Sequence, residues 1–160
     1  MKILFLVPPE TISLESSVPK ALEGGKGYYP KLGLLYVAAY YERETGNRPV
    51  FIDCPPENVS QEELSRRVKE IQPDMVAMSI MTFNLLDALH TARILKQDHP
   101  YLKVCLGGPH VNLYPKETLH QPEIDYVVFG EGEKIFFHLI QALESGEGDS
   151  YTIKAMIRKI

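Results

Sequence analysis

The feature that most constrains this chain is a set of short apolar runs set between longer stretches of helical period. Ile3–Val7 reads Ile-Leu-Phe-Leu-Val with no polar interruption. Residues 75–79 (Met-Val-Ala-Met-Ser) and 104–106 (Val-Cys-Leu) repeat the pattern, and residues 49–53 and 125–129 give two weaker versions. A strand with one face in water alternates apolar and polar residues, whereas an unbroken apolar run marks a strand covered on both faces.

Between the runs, apolar residues recur at helical spacing. Leu34, Val37, Ala38 and Tyr41 share one face over residues 34–44, and Gly46 is the stop signal. Leu64, Val68 and Ile71 form a second stripe. Ser60 and Glu63 predict a capping box at its start, each side chain satisfying the other's backbone N–H, and Pro73 ends the helix. Leu85, Leu89, Ala92 and Leu95 mark a third helix, and Pro115 suits the first position of a short one. Ile135, Phe136, Leu139, Ile140 and Leu143 mark the last, closed by Gly146. Strands alternating with helices in this way predict an α/β fold: a three-layer, doubly wound, five-stranded parallel sheet with right-handed crossovers. A length of 160 residues suits one such domain. Residues 1–146 are assigned to it, and residues 147–160 read as a linker into further structure.

Charge and composition exclude several roles. A formal net charge of -4 gives a general nucleic-acid-binding role no support. No apolar run has the length of a membrane span. The N-terminal run is too short for a secretory signal and meets Pro8-Pro9-Glu10, so it is read as a strand of a cytoplasmic protein. The two cysteines, Cys54 and Cys105, cannot supply a four-thiolate zinc or iron–sulfur site and are expected as free thiols near strand ends.

Open parallel sheets bind ligands outside the carboxyl ends of their strands, so the loops that leave those ends are the informative ones. The first, from Pro8 to about Lys31, is long and contains Gly24-Gly25-Lys26-Gly27-Tyr28-Tyr29-Pro30. The loop after the third strand offers the hydroxyls of Ser79 and Thr82, although Thr82 or Asn84 also reads as a helix cap. Gly107-Gly108-Pro109-His110 follows the fourth strand. It is either a plain turn or a place where the missing Cβ atoms let a ligand reach the backbone. Gly130-Glu131-Gly132-Glu133 follows the fifth, with carboxylates where a helix N-terminus favours them. Two carboxylates at this spacing also suit acid–base chemistry, but nothing places a substrate between them.

The commoner ligands of such sheets lack their signatures. No G-x-G-x-x-G follows the first strand, so Asp53, the right residue type for a ribose contact, does not carry a dinucleotide site. A P-loop and a G-x-S-x-G elbow are both absent. A phosphoacceptor domain would have acidic residues where Pro8 stands and an aspartate where Ser79 stands.

Four segments together resemble one family: Tyr29-Pro30-Lys31-Leu32-Gly33-Leu34-Leu35-Tyr36-Val37-Ala38-Ala39; Pro73-Asp74-Met75-Val76-Ala77-Met78-Ser79 with Thr82; Leu106-Gly107-Gly108-Pro109-His110; and Asp125-Tyr126-Val127-Val128-Phe129-Gly130-Glu131-Gly132-Glu133. The chain resembles the N-terminal cobalamin (vitamin B12)-binding domain of B12-dependent radical SAM proteins, of the anaerobic magnesium-protoporphyrin IX monomethyl ester oxidative cyclase type. The resemblance implies a flavodoxin-like sheet of strand order 2-1-3-4-5. It also implies cobalamin as ligand, with its nucleotide tail along the strand-end loops. By position, the cofactor-binding residues are Pro8, Pro9, Ser79, Met81, Thr82, Gly107, Gly108, Pro109, His110, Gly130, Glu131 and Gly132, with no catalytic residue and no metal ligand from this chain.

Two departures qualify what the resemblance implies. Many cobalamin domains bind cobalt through the histidine of D-x-H-x-x-G, and here Asp53-Cys54-Pro55-Pro56-Glu57-Asn58 puts proline in that place. Radical SAM members of the family often lack that histidine too. The C-x-x-x-C-x-x-C that holds a radical SAM [4Fe–4S] cluster is also absent, so SAM and the cluster are expected in a downstream domain, the partner of this one. Two rival readings remain: a degenerate docking or substrate-access domain, and a stand-alone enzyme using Glu131, Glu133 and His110.

Overall fold

A computed structural model describes residues 1–11 and 29–146. The glycine-rich stretch Gly24 to Tyr28 and the expected linker 147–160 lie outside the described residues. Five strands form one sheet: β1 (Ile3–Val7), β2 (Val50–Asp53), β3 (Met75–Ser79), β4 (Lys103–Gly107) and β5 (Tyr126–Val127). Their order is β2-β1-β3-β4-β5, and every neighbouring pair is parallel. This is the flavodoxin-like order that the sequence resemblance implied. The helices are α1 (Leu32–Thr45), α2 (Cys54–Glu57), α3 (Gln61–Ile71), α4 (Leu85–Asp98), α5 (Pro109–Leu113), α6 (Pro115–Leu119) and α7 (Gly132–Glu144).

Alternation along the buried strands divides the core in two. Leu4, Leu6, Val76, Met78, Val104 and Leu106 pack with Leu64 and Val68 of α3 and Ala88, Ala92 and Leu95 of α4. Ile3, Phe5, Val7, Met75, Ala77 and Cys105 face Leu34, Ala38 and Tyr41 of α1 and Phe136, Leu139 and Ile140 of α7. The Phe5 ring lies 6.1 Å from that of Tyr41 and 5.6 Å from that of Phe136. Each fully buried large apolar side chain contributes about 1.5–3 kcal/mol, so both helix layers are held by the same three central strands.

The structure differs from the sequence expectations at the last strand and at the predicted capping box. Residues 125–129 give only a two-residue strand, because Gly130 turns the chain away with φ +83°. Backbone bonds at both ends lengthen the pairing: Asp125 N–H to the Val104 carbonyl (3.0 Å) and Val128 N–H to the Leu106 carbonyl (2.8 Å). Only half of the predicted capping box forms. Ser60 Oγ accepts the Glu63 N–H at 3.2 Å, but the Glu63 carboxylate turns to Arg66 (2.7 Å) and Arg67 (2.9 Å). Two guanidinium groups one turn away compete better than a backbone N–H, and they hold the Glu63 carboxyl down to about 2.

Both thiols are buried and free. Burial pushes Cys54 up to about 12 and Cys105 further still, with neighbouring carboxylates adding to each. Among the described residues, no helix is long and apolar enough to cross a membrane.

Gly108 is the tightest of the described glycines. Its φ is +98°, and a Cβ there would stand 2.7 Å from Ser79 Oγ and 2.8 Å from the Ile80 carbonyl oxygen. Gly108→Ala is expected to cost about 3 kcal/mol, from left-handed strain plus overlap with backbone, read as a lowered urea midpoint. The thiols give a second check. Thiolate is the reactive form, so at pH 8 neither cysteine of the folded chain should be alkylated by iodoacetamide, and both should be after denaturation, as read by mass spectrometry.

Candidate ligand cavity at the strand ends

The loops that leave β3 and β4 are stitched together before they diverge. Ile80 N–H donates to the Gly107 carbonyl (2.9 Å), and His110 N–H donates to the Ile80 carbonyl (3.1 Å). Thr82 Oγ1 and His110 Nδ1 lie 3.1 Å apart. Neither Thr82 nor Asn84 caps α4 with its side chain; buried Asn84 instead accepts the Met81 N–H at 2.8 Å. Asp87, buried in the first turn of α4, accepts the Thr11 N–H at 2.8 Å and its hydroxyl at 3.3 Å. That contact ties the loop after β1 to the loop after β3.

The two faces of the sheet end differently at this edge. On the α3/α4 side, Leu6, Met78 and Leu106 fill the space. On the α1/α7 side, β3 and β4 carry only Ala77, Ser79, Cys105 and Gly107 in the last positions. A cavity of about 270 Å³ opens above these small residues. Leu34 and Val37 of α1 wall one side, and Val128 and Phe136 the other. Gly33, Met78, Gly108, Asn112, Gly130, Glu131, Gly132 and Glu133 are the other described residues of the lining. Gly132 sets the width: a Cβ there would stand 2.9 Å from Val37 Cγ2, so glycine lets the first turn of α7 approach α1 closely. Among the described residues, the lining holds two carboxylates and no cation. A phosphate at the α7 N-terminus would meet Glu131 and Glu133, so the cavity suits a neutral, largely apolar group.

Of the sequence-predicted residues, Ser79, Gly107, Gly108, Gly130, Glu131 and Gly132 meet in this cavity. Pro8 and Pro9 are buried just beyond β1, outside its lining. Met81, Thr82 and Pro109 are exposed near the same sheet edge. His110 is buried against the Tyr114 ring and borders a separate cavity of about 240 Å³ with Leu85 and Thr118. Ala77, Cys105, Asn112 and Phe136 line the main cavity and were not singled out as site residues. The available signal was the run of small residues two apart, Ala77 then Ser79 and Cys105 then Gly107, which places them on one face. A larger hollow of about 780 Å³ lies at the opposite sheet edge, beside Asp74, His99, Tyr101 and Lys103. It sits away from the carboxyl ends where open sheets bind ligands.

The Asp53–Asn58 stretch forms a single turn. Pro55 stands at the start of α2, where a missing N–H costs nothing. Burial raises the Asp53 carboxyl, Lys31 opposes the shift, and Glu57 and Glu10 add to it. No imidazole stands in this stretch. Among the described residues, no cluster of His, Cys, Asp and Glu is arranged to hold a metal ion.

Comparison with known proteins gives the same reading of the fold. The family model described as "B12 binding domain" matches residues 23–140. An uncharacterized methyltransferase of Pyrococcus horikoshii is 36% identical over 147 residues, covering 91% of this chain and 30% of that protein. The anaerobic magnesium-protoporphyrin IX monomethyl ester cyclase of Rubrivivax gelatinosus is 28% identical over 121 residues, covering 75% of this chain and 22% of the cyclase. A cobalamin-dependent radical SAM methyltransferase of Streptomyces tokunonensis is 28% identical over 114 residues, covering 71% of this chain and 15% of that enzyme. The chain thus spans less than a third of the length of these relatives. With the sheet order, the strand-end cavity and the family match in agreement, the chain belongs to the B12-binding domain family.

Proposed function

We propose that this chain is the cobalamin-binding module of a radical SAM enzyme and that the cavity takes the nucleotide tail of the cofactor. The observation that carries the reading is the cavity itself, an apolar slot beneath α1 and α7 at the carboxyl edge of a B12-binding domain. Its volume of about 270 Å³ is near the lower end for ligand pockets, ~300–1,000 Å³. It suits a flat aromatic base, whereas a corrin macrocycle must stay outside. Glu131 and Glu133 in the lining fit a neutral base that enters while its phosphodiester remains at the rim.

In this reading Ser79, Gly107, Gly108, Gly130, Glu131 and Gly132 border the tail. Pro8, Pro9, Met81, Thr82, Pro109 and His110 belong to the edge that faces the rest of the cofactor. The cobalt centre, when bound, supplies methyl-group or radical chemistry, and this chain supplies binding and orientation. Cobalt receives no imidazole from the Asp53–Asn58 stretch. SAM and the [4Fe–4S] cluster belong to a downstream domain reached through residues 147–160, and the whole protein performs methyl transfer or an oxidative cyclisation.

A second reading has one observation in its favour. Pro55, in place of a histidine, fits a docking or substrate-access domain that has lost the cofactor. A parent protein purified without corrinoid, yet inactivated by deletion of this domain, would support that alternative.

Titration of the folded chain with hydroxocobalamin, followed by visible absorption, should give a saturable spectral change. Ala77→Leu adds carbons to the cavity floor and is expected to weaken binding at least about tenfold, with far-UV circular dichroism unchanged. No spectral change in a folded wild-type sample would reject the cofactor claim. Because no histidine is assigned to cobalt, His110→Ala should leave the spectrum of the bound cofactor as it is in the wild type. A shifted cobalt band in that variant would overturn the assignment.

A further inference from the structure

Backbone pairing between β4 and β5 stops one step short of the cavity mouth. In a parallel pair, alternate N–H groups of one strand point to the same neighbour. Val128 N–H donates to the Leu106 carbonyl at 2.8 Å, so the next donor is the Gly130 N–H and its natural acceptor is the Gly108 carbonyl. That carbonyl is engaged elsewhere. Gly108 turns with φ +98° into α5, where its oxygen accepts the Asn112 N–H at 3.1 Å. The Gly130 N–H donates instead to Asn112 Oδ1 at 2.8 Å. One residue therefore takes up the Gly108 carbonyl through its backbone and replaces it as acceptor through its side chain.

We infer that Asn112 is a positioning residue of the ligand cavity, its side-chain oxygen standing in for the lost strand carbonyl and holding the loop after β5 at the cavity mouth. Both ends of the bond belong to the lining, since Asn112 and Gly130 each border the cavity. Gly130 leads directly into Glu131 and Gly132, and the contact of Gly132 with Val37 sets the width of the slot. Without the Asn112 oxygen, the Gly130 N–H has only water as a partner, and the loop between β5 and α7 loses its tie to β4. Asn112 is exposed on a short helix, so its role in packing the core is small. Its effect on ligand affinity rests on the cobalamin reading given above.

Two substitutions and two readouts test the assignment. Asn112→Leu removes the acceptor at similar size, and Asn112→Asp keeps an oxygen acceptor in the same place. Hydrogen exchange at the Gly130 amide reads the bond directly, and hydroxocobalamin titration reads its consequence. Asn112→Leu should raise the Gly130 exchange rate about five- to tenfold and weaken hydroxocobalamin binding by a similar factor, the range of one net hydrogen bond. Asn112→Asp should restore Gly130 protection and bind more tightly than Asn112→Leu. An unchanged Gly130 exchange rate in Asn112→Leu overturns the assignment, as does faster exchange with undiminished affinity. If the wild-type chain binds no hydroxocobalamin, the functional reading fails and the affinity claim falls with it. An unchanged exchange rate beside intact wild-type binding removes the Asn112 assignment alone.

Discussion

Every side chain of β1 is buried, as are those of β3 up to Met78 and the three central ones of β4, so apolar helices must cover both faces of the sheet. Parallel strands cannot be joined by tight hairpins and need crossovers, and those crossovers are the helices that provide the cover. From this one requirement follow the three layers, the two separate cores and the gathering of the functional loops at one edge. The cavity follows from a smaller rule within it. Along β3 and β4 the residues facing α3 and α4 are large to the end, whereas those facing α1 and α7 shrink to Ala77, Ser79, Cys105 and Gly107. One face closes and the other stays open, which leaves the α1/α7 side of the sheet accessible to a ligand.

Much of this architecture was legible in the sequence. Unbroken apolar runs located β1 and β3, and stripes such as Leu34, Ala38 and Tyr41 identified the buried helix faces. These signals are local, because period and run length depend on neighbours within a few residues. The short β5 and the half-formed capping box were not legible, since each depends on a competition. Gly130 ends the strand through its turn, and Arg66 and Arg67 draw the Glu63 carboxylate away from Ser60.

The candidate site was legible in part, for the same reason. Glycine-bearing loops drew attention to Gly107, Gly108, Gly130 and Gly132. The floor residues Ala77 and Cys105 looked like ordinary core, and Asn112 looked like a polar residue of a short helix. Their roles come from contacts between β4, β5 and α7, and no single segment contains those contacts. The electrostatics of the cavity also had to be assembled in space. Glu131 and Glu133 alone read as helix-favouring carboxylates, but together in the lining of one slot they disfavour an anion there.

The central claim is that the cavity recognises the nucleotide tail of a corrinoid. Cobinamide carries the corrin and cobalt but lacks that tail, which makes it the direct comparison. The decisive measurement is the affinity of the chain for cobalamin beside that for cobinamide, with the methyl resonances of Ala77, Val37 and Val128 followed by NMR. The account predicts that cobalamin binds more tightly and shifts all three methyl groups, while cobinamide leaves them in place. Equal affinities, or cobalamin binding with the three methyl groups unmoved, would contradict it.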